Sequence, residues 1–202
     1  MKAVILISGN GSNLQSIIDN TDRIDLQISC VISNNKNAFG LKRAESSKIQ
    51  TYIIEPELFN SKEAFDRELI SIIDHHEVEL ILLAGYMRIL TPLFVSNYFG
   101  KILNIHPSLL PKFPGLNTHQ KAIDASEKIH GVSIHFVTDK LDGGPIICQE
   151  SVTIEAKDTA KTLSDKVLKI EHVIFPKVIN WYTQRRLKLI NNITATLDGK
   201  II

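Results

Sequence analysis

Short apolar segments rich in β-branched residues alternate with longer amphipathic segments along the first half of the chain. The apolar segments predict strands at Val4–Ile7, Ile28–Ile32, Thr51–Ile54, Leu80–Ala84 and Ile102–Ile105. The segments between them predict helices at Asn13–Asp19, Ala38–Ser47, Lys62–His75 and Pro92–Tyr98, the third with Phe65, Leu69, Ile72 and Ile73 on one face. Wholly apolar strands joined by helices predict an α/β protein with an open, mostly parallel, Rossmann-like sheet and helices on both faces.

The pattern changes after Ile105. Three prolines between His106 and Gly115 exclude a regular element there, and a short helix is predicted at Thr118–Ser126. Strands at Gly131–Val137 and Pro145–Ile154 are joined so tightly that we expect them to be antiparallel. A long helix follows at Thr159–Arg186, kinked at Pro176, with one apolar stripe formed by Ala160, Leu163, Val167, Ile170, Ile174 and Val178. The polar tail from Asn191 onward gives only a weak signal for secondary structure. No linker or repeat divides residues 1–202, so we expect one domain.

Composition restricts the possible partners. A formal net charge of +1 over 202 residues argues against a nucleic-acid partner bound by a broad basic face. No apolar run is long enough for a membrane span, and the first apolar run is too short for a signal peptide. Cys30 and Cys148 suit neither a disulfide framework nor a metal site, and both are expected to be buried, inert thiols. These features indicate a cytoplasmic protein.

A glycine-rich turn, Ser8-Gly9-Asn10-Gly11-Ser12-Asn13-Leu14, joins the first strand to the first helix. Free N–H groups at such a turn favour a phosphate. A dinucleotide site is disfavoured because Leu14 replaces the third glycine and no acidic residue follows the second strand. A plain strand-to-helix turn with Ser12 as N-cap is an equally good interpretation of the local pattern.

A second candidate site lies at the end of the fifth predicted strand. Asn104 and His106 are two residues apart and should point to the same side, at the sheet edge where ligands bind. An amide can donate to an oxyanion, and an imidazole can move a proton near neutral pH. Asp142 lies in a glycine-rich loop, and a carboxylate beside His106 would raise its pKa. The alternatives are a hydrogen-bonded pair that caps the strand and an ordinary Asp in a turn.

Four segments taken together resemble the phosphoribosylglycinamide formyltransferase family, folate-dependent enzymes of purine synthesis. They are Gly9–Leu14, Ala84–Leu90, Asn104-Ile105-His106-Pro107-Ser108-Leu109-Leu110-Pro111 and Leu141–Pro145, in that order. The resemblance runs from Lys2 to about the long helix. It implies transfer of the formyl group of 10-formyltetrahydrofolate to the amine of glycinamide ribonucleotide, without a metal. A nucleotide-phosphate-binding half would occupy about residues 1–100, and a folate-binding and catalytic half about residues 101–190.

The resemblance also implies roles for individual residues. Asn104 would stabilise the oxyanion, His106 would be the general acid, and Asp142 would tune and orient His106. Glycinamide ribonucleotide would be held at its phosphate by Gly11, Ser12 and Asn13 and at its ribose by Glu171. The folate would contact Asn104, Lys62, Met87, Arg88, Ile89, Leu90, Thr138, Asp139, Lys140, Leu141 and Asp142. Lys62 departs from the arginine of close relatives and loses the bidentate fork.

Three alternatives remain open on the sequence. A formyltetrahydrofolate deformylase would transfer the formyl group to water, but that family usually carries an N-terminal regulatory domain, whereas this chain begins at its first strand. A methionyl-tRNA formyltransferase would need a further tRNA-binding domain. A non-catalytic nucleotide-binding module would not need Asn104, His106 and Asp142. We expect small-molecule substrates only, no nucleic acid or membrane partner, and a monomer or weak homodimer.

Overall fold

One seven-stranded sheet forms the centre of the protein, in a computed structural model that describes residues 1–191 and 193–202. Its strand order is β3-β2-β1-β4-β5-β6-β7. The first five strands run parallel to one another: β1 (Lys2–Ile7), β2 (Gln27–Ser33), β3 (Thr51–Ile53), β4 (Leu80–Leu83) and β5 (Ile102–His106). The last two, β6 (Ile129–Phe136) and β7 (Ile146–Thr153), are antiparallel. The predicted α/β class and the change of strand direction are confirmed.

Six α-helices of the described residues cover the sheet: α1 (Ser12–Ile18), α2 (Phe39–Ser46), α3 (Lys62–His75), α4 (Pro92–Asn97), α5 (Thr118–Asp124) and α6 (Ala160–Thr183). Their apolar residues form two core clusters. One contains Leu14 of α1 and Val167 of α6, and the other contains Phe65 of α3 and Phe94 of α4. Because residues alternate across the central strands, neighbours such as Ile5 and Leu6 enter different clusters, which explains why these strands are apolar throughout.

The structure differs from the sequence predictions at several points. The long helix ends at Thr183 rather than Arg186, and Pro176 lies buried within its single unbroken span. Ile72 is only half-buried, although the other three apolar residues predicted for that face of α3 are buried. A short 3₁₀ helix, Pro56–Leu58, had no sequence signal. Cys30 is buried as expected, whereas Cys148 is half-buried, and burial raises the pKa of both thiols.

The C-terminal segment forms a second, smaller sheet that the sequence did not predict. Strands β8 (Leu187–Ile190), β9 (Thr194–Leu197) and β10 (Lys200–Ile201) pair antiparallel in the order β10-β9-β8. Asp198 and Gly199 join the last two strands, with φ of 53° and 79°. Positive φ at both turn residues is typical of a type I′ hairpin. In the described part of the chain, no helix combines the length and apolar character needed to cross a bilayer.

Candidate active site

A cavity of about 560 Å³ lies beside the end of β5. Three segments form its walls: residues 83–90 after β4, residues 104–107 at the end of β5, and residues 138–142 between β6 and β7. Residues 115–119 of the proline-rich segment and α5 complete it. The open sheet therefore brings loops that are distant in sequence to one side of β5.

Asn104 and His106 point to the same side of β5, as the strand period predicts, because both side chains reach the carboxylate of Asp142. Asn104 Nδ2 is 3.4 Å from Asp142 Oδ1, and His106 Nδ1 is 3.5 Å from Asp142 Oδ2. The side chains of His106 and Asp142 are 7% and 9% exposed. The three predicted catalytic side chains therefore form one cluster on the cavity wall.

Asp142 approaches β5 from the chain reversal after β6. Val137 N donates to Ile102 O at the start of β5, and the following loop folds back along that strand. Gly115 N donates to Asp142 Oδ2 over 2.8 Å and fixes the carboxylate. Burial alone would raise the pKa of Asp142, but the nearby His135 ring, the hydrogen bond from Gly115 N and the His106 ring outweigh it and lower the pKa. Asp142 is therefore ionised near neutral pH.

The Phe113 carbonyl determines which nitrogen of His106 can titrate. His106 Nε2 lies 2.9 Å from Phe113 O, and a carbonyl can only accept a hydrogen bond, so Nε2 keeps its proton. Nδ1, on the Asp142 side, is then the atom that gains or loses a proton. Burial lowers the pKa of His106, and the Phe113 carbonyl and Asp142 only partly offset this. The expected upward influence of the carboxylate is present, and burial outweighs it.

His135 orients the Asn104 amide. His135 Nδ1 donates to Phe136 O over 2.8 Å, so its Nε2 in the neutral ring accepts from Asn104 Nδ2 over 3.1 Å. The second amide hydrogen of Asn104 makes the longer contact to Asp142. This weaker contact is the one that can be exchanged for a substrate oxygen.

The glycine-rich turn is shaped by a close approach between two helices. Gly11 is the N-cap of α1 with φ of 73°, so the helix begins at Ser12 and Ser12 is not its N-cap. A Cβ on Gly11 would lie 2.5 Å from Gly40 Cα in α2. Arg43 of α2 donates to both Asn10 O (2.9 Å) and Asn10 Oδ1 (3.1 Å). Arg43 carries no recognisable motif in the sequence, and its guanidinium places a positive charge beside the turn.

Glu171 joins α6 to the first helix. Asn13 Nδ2 donates to Glu171 Oε2 over 2.6 Å, although 158 residues separate them. Glu171 is 4% exposed, and burial raises the pKa of its carboxyl group. The four residues predicted to hold the nucleotide are thus in one region, since Gly11, Ser12 and Asn13 are consecutive. They are not among the residues that line the large cavity.

Most of the predicted folate contacts line the cavity. These are Met87, Arg88, Ile89, Leu90, Asn104, Thr138, Asp139, Lys140, Leu141 and Asp142. Lys62 does not, and its side chain is exposed at the start of α3. The cavity also includes Gly85, Tyr86, Leu116, Asn117 and Thr118, which the sequence analysis did not assign as site residues. In the sequence, the Pro114-Gly115-Leu116 stretch was the feature that could have indicated that residues 115–119 form part of the cavity wall.

Two further histidines pair behind the cavity. His119 Nδ1 lies 3.0 Å from His130 Nε2, and His119 reaches the cavity lining. Burial lowers the pKa of both rings, that of His130 to about 4. The pair is therefore uncharged at neutral pH and adds no cation to the site.

An amide, an imidazole and a carboxylate on one cavity of an open α/β sheet define an enzyme that acts on a carbonyl group. The model of the formyl transferase family matches residues 1–179. Phosphoribosylglycinamide formyltransferase of Escherichia coli (strain K12) is 50% identical over 202 residues, covering 99% of this chain and 95% of that protein. The enzyme of that name from Bacillus subtilis (strain 168) is 38% identical over 180 residues, covering 88% and 92%.

Solved structures agree with these sequence matches. The structure of phosphoribosylglycinamide formyltransferase from Coxiella burnetii has 49% sequence identity and a TM-score of 0.95, and covers 100% of this chain and 95% of that one. The chain therefore belongs to the formyl transferase family, and within it to the phosphoribosylglycinamide formyltransferases.

Proposed function

We propose that the protein transfers the formyl group of 10-formyltetrahydrofolate to the amine of glycinamide ribonucleotide, and that Asn104, His106 and Asp142 carry the reaction. Family membership places the activity in purine biosynthesis and makes a formyl-folate the co-substrate. The observation that supports the residue roles is the cluster of these three side chains on the wall of a cavity of about 560 Å³.

In this reaction the substrate amine attacks the formyl carbon, and the carbonyl oxygen becomes an oxyanion. Asn104 Nδ2 releases its 3.4 Å contact with Asp142 and donates to that oxygen. The attacking nitrogen then loses a proton to water, the bond from the formyl carbon to the folate nitrogen breaks, and the leaving nitrogen takes a proton from protonated His106, which regains one from solvent. The products are formylglycinamide ribonucleotide and tetrahydrofolate.

The contacts of His106 indicate which atom delivers the proton. Nε2–H stays bonded to the Phe113 carbonyl in both protonation states, so Nδ1–H is the acid. Asp142 lies 3.5 Å from Nδ1 and stabilises the protonated ring. Since burial lowers the pKa of His106, the protonated ring is the minor form at neutral pH but a stronger acid than a free imidazolium, which favours proton donation.

The two substrates would approach from opposite sides. Gly11, Ser12 and Asn13 would bind the nucleotide phosphate through backbone N–H groups, with Arg43 beside them, and Glu171 would accept from the ribose hydroxyls. The folate would occupy the cavity, where exposed Met87, Ile89 and Leu141 offer apolar surface to its ring. Arg88 and Lys140, which line the cavity, are cations suited to its carboxylates, and Lys62 would have to reach them from the exposed start of α3.

The decisive experiment mixes the protein with 10-formyltetrahydrofolate in the presence and absence of glycinamide ribonucleotide and follows tetrahydrofolate formation. We expect product only when the nucleotide is present, and a loss of turnover of at least about 100-fold in His106→Ala. Equal rates without the nucleotide would refute the transferase and favour the deformylase. A His106→Ala rate within a few-fold of the parent would refute the assignment of the acid.

A further inference from the structure

Met87–Leu90 form one wall of the cavity, and this wall buries little apolar surface. Met87 and Ile89 are 65% and 58% exposed, whereas Leu90 is buried. Such a segment gains little from apolar burial, so its conformation depends on the groups that hold its ends. Those groups lie on elements that are distant in sequence.

The start of the wall is held by the first strand. Ser8 Oγ accepts from Met87 N over 2.7 Å, and Ser8 N donates to Gly85 O over 3.1 Å. Ser8 is also the first residue of the glycine-rich turn. This end of the wall is therefore fixed to the part of the protein that would bind the nucleotide.

The other end is held by a carboxylate inside the protein. Asp66 Oδ2, on α3, accepts from Thr91 N over 2.8 Å and from Thr91 Oγ1 over 2.6 Å. Asp66 is 0% exposed, and Thr91 directly follows Leu90 and is the N-cap of α4. A buried carboxylate is costly unless it is well bonded, so these two contacts are strong constraints on the end of the wall.

Asp66 also sits among polar groups behind the wall. The guanidinium of Arg88 lies over the ring of Phe65, the neighbour of Asp66 in α3, at 4.1 Å from its centroid. Burial raises the pKa of Tyr86, the charge of Asp66 raises it further, and the charge of Arg88 opposes this. Within the described residues, Asp66 Oδ1, Tyr86 Oη and Arg88 Nε are buried and have no hydrogen-bond partner. The negative charge of Asp66 thus lies close to Arg88 of the wall and to Tyr86, which directly precedes the wall.

We propose that Asp66 is a positioning residue for the folate substrate: by holding Thr91 it sets the conformation of Met87–Leu90. This rests on the proposed function of the cavity as the folate site. The residue touches no reacting atom, so its loss weakens folate binding while leaving the chemistry at His106 in place.

The test compares Asp66→Asn and Thr91→Val with the parent protein. Asp66→Asn removes the charge but keeps an acceptor oxygen, and Thr91→Val removes the 2.6 Å hydroxyl contact while keeping the shape. We expect each to raise the KM for 10-formyltetrahydrofolate by about tenfold, with kcat and the KM for glycinamide ribonucleotide within about twofold. Thr91→Ser keeps the hydroxyl and should restore the parent KM.

Asp74→Asn is the matched control. Asp74 lies on the same helix and accepts from Tyr98 Oη over 2.7 Å, but neither residue lines the cavity. It should leave the folate KM unchanged. The same rise in Asp74→Asn, a parallel rise in both KM values, or a fall in kcat at unchanged folate KM in Asp66→Asn would each overturn the proposal.

A binding measurement separates this proposal from the proposed function. The equilibrium Kd for 5-formyltetrahydrofolate, a folate that need not react, is measured for the same variants by fluorescence titration. A rise of about tenfold in Kd for Asp66→Asn and Thr91→Val supports the positioning role. Parent-like Kd values refute it. A parent protein that binds this folate but transfers no formyl group would refute the proposed reaction and leave the positioning role standing.

Discussion

Replacing Asp142 by Asn tests the electrostatic part of the mechanism. The change removes a negative charge 3.5 Å from His106 Nδ1, and two unit charges at that distance attract by about 5 kcal/mol at an effective dielectric constant near 20. Because both side chains are less than a tenth exposed, at 7% and 9%, solvent screens this attraction only weakly. A tenfold loss of rate needs only about 1.4 kcal/mol, well within the available attraction.

The direction of the expected shift in the pKa of His106 follows from the groups around it. Asp142 raises the pKa of His106 and burial lowers it, so Asp142→Asn should lower that pKa further. The acid form is needed for proton donation, and it would be lost at a lower pH than in the parent. We therefore expect kcat at neutral pH to fall by at least about tenfold and the alkaline limb of the pH–rate profile to move to lower pH.

The assay is the pH dependence of kcat with both substrates saturating, followed by the absorbance of the folate product. Asp158→Asn is the control, because Asp158 is also ion-paired, 2.7 Å from Lys166, but does not line the cavity. It should leave the profile unchanged. If the profile of Asp142→Asn superimposed on that of the parent, the coupling between the carboxylate and His106 would be disproved.

Three further predictions concern binding and stability. Gly11→Ala should weaken nucleotide binding and destabilise the fold by at least about 1–2 kcal/mol in thermal unfolding, since φ is 73° and its Cβ would lie 2.5 Å from Gly40 Cα. Gly9→Ala meets nothing within 4 Å, so equal effects of the two changes would contradict this. Lys62→Arg should lower the folate KM a few-fold by restoring a bidentate fork, and an unchanged or higher KM would remove Lys62 from the site. Because burial lowers the pKa of His130 from 6.5 to about 4, protonation there costs at most about 3 kcal/mol as pH falls through that window. His130→Gln should flatten this loss in denaturant titrations, and an unchanged slope would contradict it.

The sheet could be predicted because its strands are apolar on both faces, as in Ile5 and Leu6, and burial on both faces leaves that pattern. The small C-terminal sheet was not predicted because its strands are only four, four and two residues long, and their apolar residues include Ile190 and Ile201, which are 42% and 79% exposed. Such short segments give little of the hydrophobic pattern that indicates a strand. Its Asp198-Gly199 pair was nevertheless a readable hairpin signal.

In the candidate site, the side chains could be predicted from the sequence, whereas the backbone groups that fix them could not. Asn104, His106 and Asp142 could be identified from residue type and position. The groups that fix them, Phe113 O and Gly115 N–H, come from residues with φ of 56° and 77° in a proline-rich segment. The direction of the backbone in such a segment depends on the packing around it, and this packing cannot be predicted from the residue types alone.

The contact between Asn13 and Glu171 has a consequence for synthesis of the protein on the ribosome. Since 158 residues separate the two, translation at about 5–20 residues per second makes Glu171 about 8 to 30 s after Asn13. The five parallel strands, complete at His106, can pair before then. A growing chain can therefore contain most of its main sheet while the proposed nucleotide site still lacks its carboxylate. If that proposal holds, the nascent enzyme cannot bind this substrate fully until α6 has left the exit tunnel.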